Sequence, residues 1–205
     1  MYHDPMQLPD VAVLHVSTIL QSEFGELRMA AETEGLRFHS ESYEPGPQAG
    51  VEWLLPTALA LFFCKSYFDG IFKEIGKDHY STLKVGLKPL WSRLLGPAAS
   101  KLVVVGTQGK VRSDQPYSLV YSIVAEAGPR LRFKLMFPSD LSEEEYEEAV
   151  AAFFSFMKDF HSQSLADSMI AKLQSARVLS GTVLLVYDQS KTALRVVDPT
   201  SKGGR

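Results

Sequence analysis

Residues suited to chemistry occur at several places along the chain. Lys101–Lys110, KLVVVGTQGK, sets Gly106 and Gly109-Lys110 directly after a β-branched apolar run, the setting of a phosphate-binding loop. Such a loop needs four residues between its glycines and Ser or Thr after the Lys, so that amides ring the phosphate and a hydroxyl reaches magnesium. Here two residues intervene and Val111 follows, so the segment reads as a strand-ending turn. Asp78-His79 could supply an acid and a base to Cys64 or Ser81, but sequence neighbours on a helix diverge, and Asp78 is explained as an N-cap. His15, His39 and His161 lack ligand spacing, and Glu143–Glu148 lacks the Asp, Gly and Glu positions of a calcium loop. The sequence therefore predicts no metal and no cofactor.

Ser81-Thr-Leu-Lys84, Ser113-Asp114-Gln115 and Lys191-Thr192-Ala193 follow the order of three motifs of the penicillin-binding serine acyltransferases. There a Lys one helical turn from the nucleophilic Ser activates it, while a sheet-edge strand binds the substrate carboxylate. Two of the three motifs are imperfect and the chain is short for that fold, so the order is read as coincidence. Cys64 is the single cysteine, which excludes an intrachain disulfide; beside Phe62 and Phe63 it reads as a buried structural thiol.

The elements that would position these residues belong to a chain of 205 residues, 45% hydrophobic and 22% charged, with a net charge of -3. That composition excludes intrinsic disorder, fibrous repeats and disulfide scaffolds. The start, MYHDPMQLPDVAVLHV, has no basic leader or apolar signal core, which predicts a cytoplasmic protein. The charge is unevenly spread. Residues 1–52 carry two bases against nine acids, 53–137 twelve against five, and 138–205 seven against ten. A basic middle between acidic ends is expected to be compensated within the fold, or to form one positive surface.

Residues 11–17 read as a strand, 22–34 as a helix ended by Gly35, and 36–43 as an edge or half-buried strand, with a linker-like break over 44–50. Residues 51–75, apolar on nearly every side, read as a buried helix. Asp78 caps a second helix with apolar positions from Tyr80 to Leu94, kinked at Pro89. A strand over 102–107 precedes a hairpin of 117–125 with 130–137, whose basic face (Arg130, Arg132, Lys134) is expected to be solvated. Ser142 and Glu145 form a capping box at the head of a helix over 142–161, with a broad apolar stripe from Tyr146 to Phe160. A short helix over 165–174 and a hairpin of 182–187 with 192–197 follow, then a frayed tail over 201–205.

Blocks of strands and helices predict a single layered α+β domain over 1–200. Its sheet is expected to be largely antiparallel, with a central, very hydrophobic helix pair and an amphipathic helix near 142–161. The function expected is a non-catalytic interaction module that docks a protein partner or self-associates through the helix over 51–75 and its basic rim. The residues expected to make that contact are Leu55, Leu59, Phe62, Phe63, Lys65, Lys73, Lys77, Lys84 and Lys88. Two alternatives stand beside it. One is a peripheral or inserted membrane protein using residues 51–95, its lysines facing an anionic surface. The other is a hydrolase-like enzyme without a legible motif. Nucleic acid is disfavoured as a partner by the acidic balance and the lack of a basic, aromatic strand motif.

Overall fold

The computed structural model describes residues 9–44, 58–68, 79–94, 96, 117–178 and 180–198. The expected elements over 51–57, 69–78 and 102–107 lie outside the described residues, as do Leu55, Lys73 and Lys77. Among the described residues seven strands form one mixed sheet in the order β2-β1-β3-β4-β5-β6-β7. They are β1 (Val11–Val16), β2 (Phe38–Tyr43), β3 (Leu59–Phe63), β4 (Tyr117–Gly128), β5 (Leu131–Pro138), β6 (Thr182–Asp188) and β7 (Ala193–Val197). Four helices accompany them: α1 (Gly25–Thr33), α2 (His79–Leu94), α3 (Glu143–His161) and α4 (Asp167–Gln174).

The α+β class stands, but the sheet is not largely antiparallel. The pairs β1–β2, β3–β4 and β5–β6 are parallel, and β1–β3, β4–β5 and β6–β7 antiparallel. Connection length accounts for the alternation. Each parallel pair is joined through a helix-bearing segment, α1, α2, or α3 with α4, because a strand must be carried back to its start before it can run parallel. The hairpins β4–β5 and β6–β7 have turns too short for anything but antiparallel pairing.

The second correction concerns the hydrophobic helix expected over 51–75. Residues 59–63, Leu-Ala-Leu-Phe-Phe, form β3, and 65–68 make only a short helical stretch after it. β3 lies between β1 and β4 and is nearly buried on both faces, so its sequence is apolar throughout. A run of that kind has neither the two-residue nor the 3.6-residue period that separates strand from helix. The second member of the expected pair is a helix. α2 runs from His79 to Leu94 as one element with Pro89 inside it.

Register explains where the core sits. Val13, Leu61, Ile123, Leu135 and Leu185 are aligned across five strands, and all belong to the main core under the helices. Leu27 and Ala31 of α1, Leu83, Leu87 and Leu90 of α2, and Tyr146, Val150, Phe153 and Met157 of α3 fill the same core, which places these helices over one face. Phe63 meets Phe154 edge-on with centroids 4.7 Å apart, and Phe133 meets Phe156 edge-on at 4.9 Å, geometries that aromatic quadrupoles favour. Tyr146 stacks on Trp91 at 5.5 Å and shares a hydroxyl hydrogen bond of 3.2 Å with Tyr121.

The opposite face carries its own row, Ala12, Phe62, Val124, Lys134, Leu184 and Val197. Met136, Leu184, Val186 and Val197 form a second buried cluster on it. Lys134 is therefore not on a solvated face as its alternation with Arg130 and Arg132 predicts: it is 7% exposed. Burial brings its ammonium down to about 8.

Local signals set the helix ends. Ser142 accepts from the Glu145 N–H at 3.3 Å and the Ser142 N–H donates to Glu145 Oε2 at 2.6 Å, the reciprocal capping box at the head of α3. Gly35 stops α1 with φ of +75°, a backbone state glycine reaches without strain. At Gly86 the need is for closeness: a Cβ there would lie 2.5 Å from Leu27 Cα, so only glycine lets α1 and α2 approach this far.

Candidate functional site

The described contact residues from the sequence fall into two groups. Leu59 and Phe63 are wholly buried beneath the helices, where they hold the sheet to its cover. Phe62 is half-buried on the opposite face, and Lys65 is exposed just after β3, its N–H donating to Glu126 Oε2 at 3.0 Å. Lys84 and Lys88 lie on α2 beside α3. Lys84 Nζ is 2.8 Å from Glu147 Oε2, while Lys88 pairs with Glu143 and lies 3.6 Å from Glu147 Oε1. Two bases of the basic middle are thus paired with acids of the acidic C-terminal segment. Exposed pairs of this kind are screened by solvent, so their effect is on surface potential more than on stability.

α1 and α2 run in opposite directions. Thr82 Oγ1 donates to Glu34 Oε1 at 2.8 Å at one end, and at the other Arg93 Nη2 donates to Glu23 O at 3.0 Å and Arg93 Nη1 lies 3.3 Å from Glu26 Oε1. With one flank of α2 given to α1, the other to α3 and its underside to the sheet, its remaining face is outward. Val85 stands there at 68% exposure, one residue from the close approach at Gly86, and Met29 of α1 is exposed to the same degree. No periodicity marks either residue as special in the sequence. Their exposure follows from which flanks the neighbouring helices take.

Groups that could act on a substrate are scattered. Cys64 is half-buried, and desolvation, with Glu126 and Asp10 adding to it, pushes its thiol up to about 11. His15 sits in the core, Nδ1 2.9 Å from Val16 O and its ring 4.8 Å from Phe24. His161 is 3.1 Å from Glu126 O and stacks on Phe68 at 4.8 Å. Ser81 and Lys84 share α2, but Lys84 Nζ is engaged by Glu147. The phosphate-loop segment 101–110, Asp78 and Ser113–Gln115 lie outside the described residues. Among the described residues no three His, Cys, Asp or Glu side chains converge as a metal site, and no helix is long and apolar enough to cross a membrane.

A cleft of about 490 Å³ opens at the ends of β5 and β6. These strands are parallel, and their carboxyl ends open beside the first turns of α3, the crevice in which open α/β sheets commonly hold ligands. Pro138 lines it from the end of β5, Asp140 and Leu141 from the segment that follows, Glu145 and Ala149 from α3, Tyr187 and Asp188 from the end of β6, Gln189 and Ser190 from the turn after it, and Arg195 from β7. Two of its carboxylates already have donors. Glu145 takes Ser142 N–H and Gln189, and Asp188 takes Ser190 Oγ at 2.6 Å and Lys191 Nζ at 3.4 Å; these bonds hold both below the usual carboxylate range. Asp140 and Arg195 have no hydrogen-bond or ion-pair partner among the described residues. The sequence shows this region only as a helix head and a hairpin turn, because its walls are separated by half a hundred residues.

A second recess of about 440 Å³ lies against the C-terminal end of α3 and is lined mainly by Ala127, Phe160, Leu165 and Ile170. Comparison with protein-family models, with curated proteins and with solved structures finds no match.

Proposed function

We propose that the chain is a non-catalytic α+β interaction module that self-associates through the outward face of α1 and α2. One observation carries this reading: Met29 and Val85, each 68% exposed, stand on the outward side of two helices drawn together at Gly86. The expected contact moves from Leu59 and Phe63, which are core, to the one member of the hydrophobic helix pair that is a described helix. Ion pairing of Lys84 and Lys88 with Glu147 and Glu143 supports a protein contact over adsorption to an anionic membrane, since it neutralises the two rim lysines that α2 carries. The high value of the Cys64 thiol and the occupied Lys84 ammonium support binding rather than catalysis. An antiparallel helix pair presents a surface suited to a two-fold contact with its own copy.

The test is light scattering on the wild type and on a Met29→Asp, Val85→Asp double variant, with circular dichroism to follow folding. A wild-type dimer that becomes a folded monomer in the variant is expected. A wild type that stays monomeric at its highest soluble concentration, or a dimer that the two substitutions leave intact, would overturn the reading.

A further inference from the structure

The cleft at the ends of β5 and β6 carries an inference independent of self-association. Its volume of about 490 Å³ lies within the range of small-molecule sites, roughly 300–1,000 Å³. Its polar groups differ in what they have left to offer. The side chains of Glu145 and Asp188 are engaged with Ser142, Gln189, Ser190 and Lys191, so they shape the wall. Asp140 and Arg195 also line the cleft and are opposite in charge, yet they form no ion pair with each other or with any other described residue. A ligand with one cationic and one anionic group would satisfy both, whereas a simple anion would meet the three carboxylates and a simple cation would leave Arg195 unused.

The apolar part of the wall narrows the ligand further. Pro138 and Leu141, beside Asp140, are half-buried and give an apolar side chain a surface to cover. We propose that this cleft binds a free α-amino acid with an apolar side chain, its ammonium on Asp140, its carboxylate on Arg195 and its side chain against Pro138 and Leu141. Arg195 suits the carboxylate because its planar fork offers two parallel N–H donors. Neither end is fully desolvated, so the expected affinity is modest, and selectivity comes from requiring both ends at once.

Isothermal titration of the full chain with L-leucine and L-phenylalanine tests this, with N-acetyl-leucine lacking the ammonium and leucinamide lacking the carboxylate. Binding of the free amino acid is expected, weakened at least about tenfold by either blocking group, which corresponds to about 1.4 kcal/mol per tenfold change. In Asp140→Asn the preference for leucine over N-acetyl-leucine should vanish, and in Arg195→Gln the preference for leucine over leucinamide. Both side chains are exposed and have no partner among the described residues, so thermal melts of the variants should match the wild type. No binding of either amino acid at millimolar concentration, equal binding of a blocked form to the wild type, or unchanged preferences in the variants would overturn the proposal.

Discussion

Asp10 and Arg37 meet in a two-pronged ion pair, with Arg37 Nη2 2.8 Å from Asp10 Oδ1 and Nε 2.8 Å from Oδ2. The Arg37 backbone N–H adds a third bond to Oδ2 at 3.0 Å, and Asp10 N–H donates to Arg37 O at 2.9 Å. Each residue comes just before a strand of the parallel pair β1–β2, so the contact pins the register in which Val11 faces Phe38. A bidentate guanidinium–carboxylate contact is geometrically specific in a way that a lysine pair is not.

This pair predicts an acid-sensitive contribution to stability. Burial would raise the Asp10 carboxyl, but the hydrogen bonds from Arg37, with Ser66 and the Arg37 charge, outweigh it and hold the group at about 2, against an ordinary 3.8. The unfolded chain takes up the proton first as pH falls, so the stabilisation is present above about pH 4 and is lost as pH falls through about 2. After solvent screening its size is about 1–2 kcal/mol. Urea melts of the wild type and Asp10→Asn should differ by that amount at neutral pH and converge near pH 2; a constant difference would contradict this account.

Lys134 predicts the opposite end of the pH scale. Its ammonium titrates at about 8 in the folded protein and at about 10.5 when exposed, so between these values the unfolded chain binds the extra proton. Folding stability should therefore rise with pH across that window, by up to about 3 kcal/mol. Lys134→Met should be more stable than the wild type at pH 7, with the gap closing toward pH 10.5. A variant less stable than the wild type at pH 7 would mean that the contacts of the ammonium outweigh its desolvation.

Cys64 should be slow to alkylate. With the thiol at about 11 instead of 9.0, its thiolate fraction at pH 8 is smaller by about 100-fold, and partial burial slows it further. Iodoacetamide labelling followed by mass spectrometry measures this directly. A rate equal to that of an unhindered thiol would put Cys64 back among candidate nucleophiles.

Gly86→Ala should destabilise the protein although alanine is the better helix former. The new Cβ would stand 2.5 Å from Leu27 Cα, and because that atom is backbone the two helices must separate, at a cost of about 1–3 kcal/mol. Val85→Ala, one residue away and exposed, should change the thermal midpoint little. Equal midpoints for Gly86→Ala and the wild type would show that the helices can part without loss.

What could be read in the sequence was what neighbours along the chain decide. The capping box of Ser142 and Glu145, the apolar stripe from Tyr146 to Met157, the stop at Gly35 and both hairpins all depend on residues within a turn or two of each other. Their side chains meet whatever the rest of the chain does, so their spacing is sufficient. The charge imbalance was legible too, though not the partners that Lys84, Lys88 and Arg93 find in the acidic segments.

Tertiary structure decided the rest. Leu59–Phe63 is a strand because β1 and β4 flank it and supply its hydrogen bonds, a fact absent from five consecutive apolar residues. Lys134 is buried because its strand has a second apolar cluster on the face that alternation assigns to solvent. Lys84 finds Glu147, and Asp140 shares a cleft with Arg195, only after the sheet has ordered its strands. Sequence by itself determined the α+β class and the local elements, because backbone geometry and short-range capping act before any distant contact forms. Strand order, parallel pairing and the sites built on them belong to the tertiary structure, because they rest on free energy gained only when residues far apart in the chain are buried together.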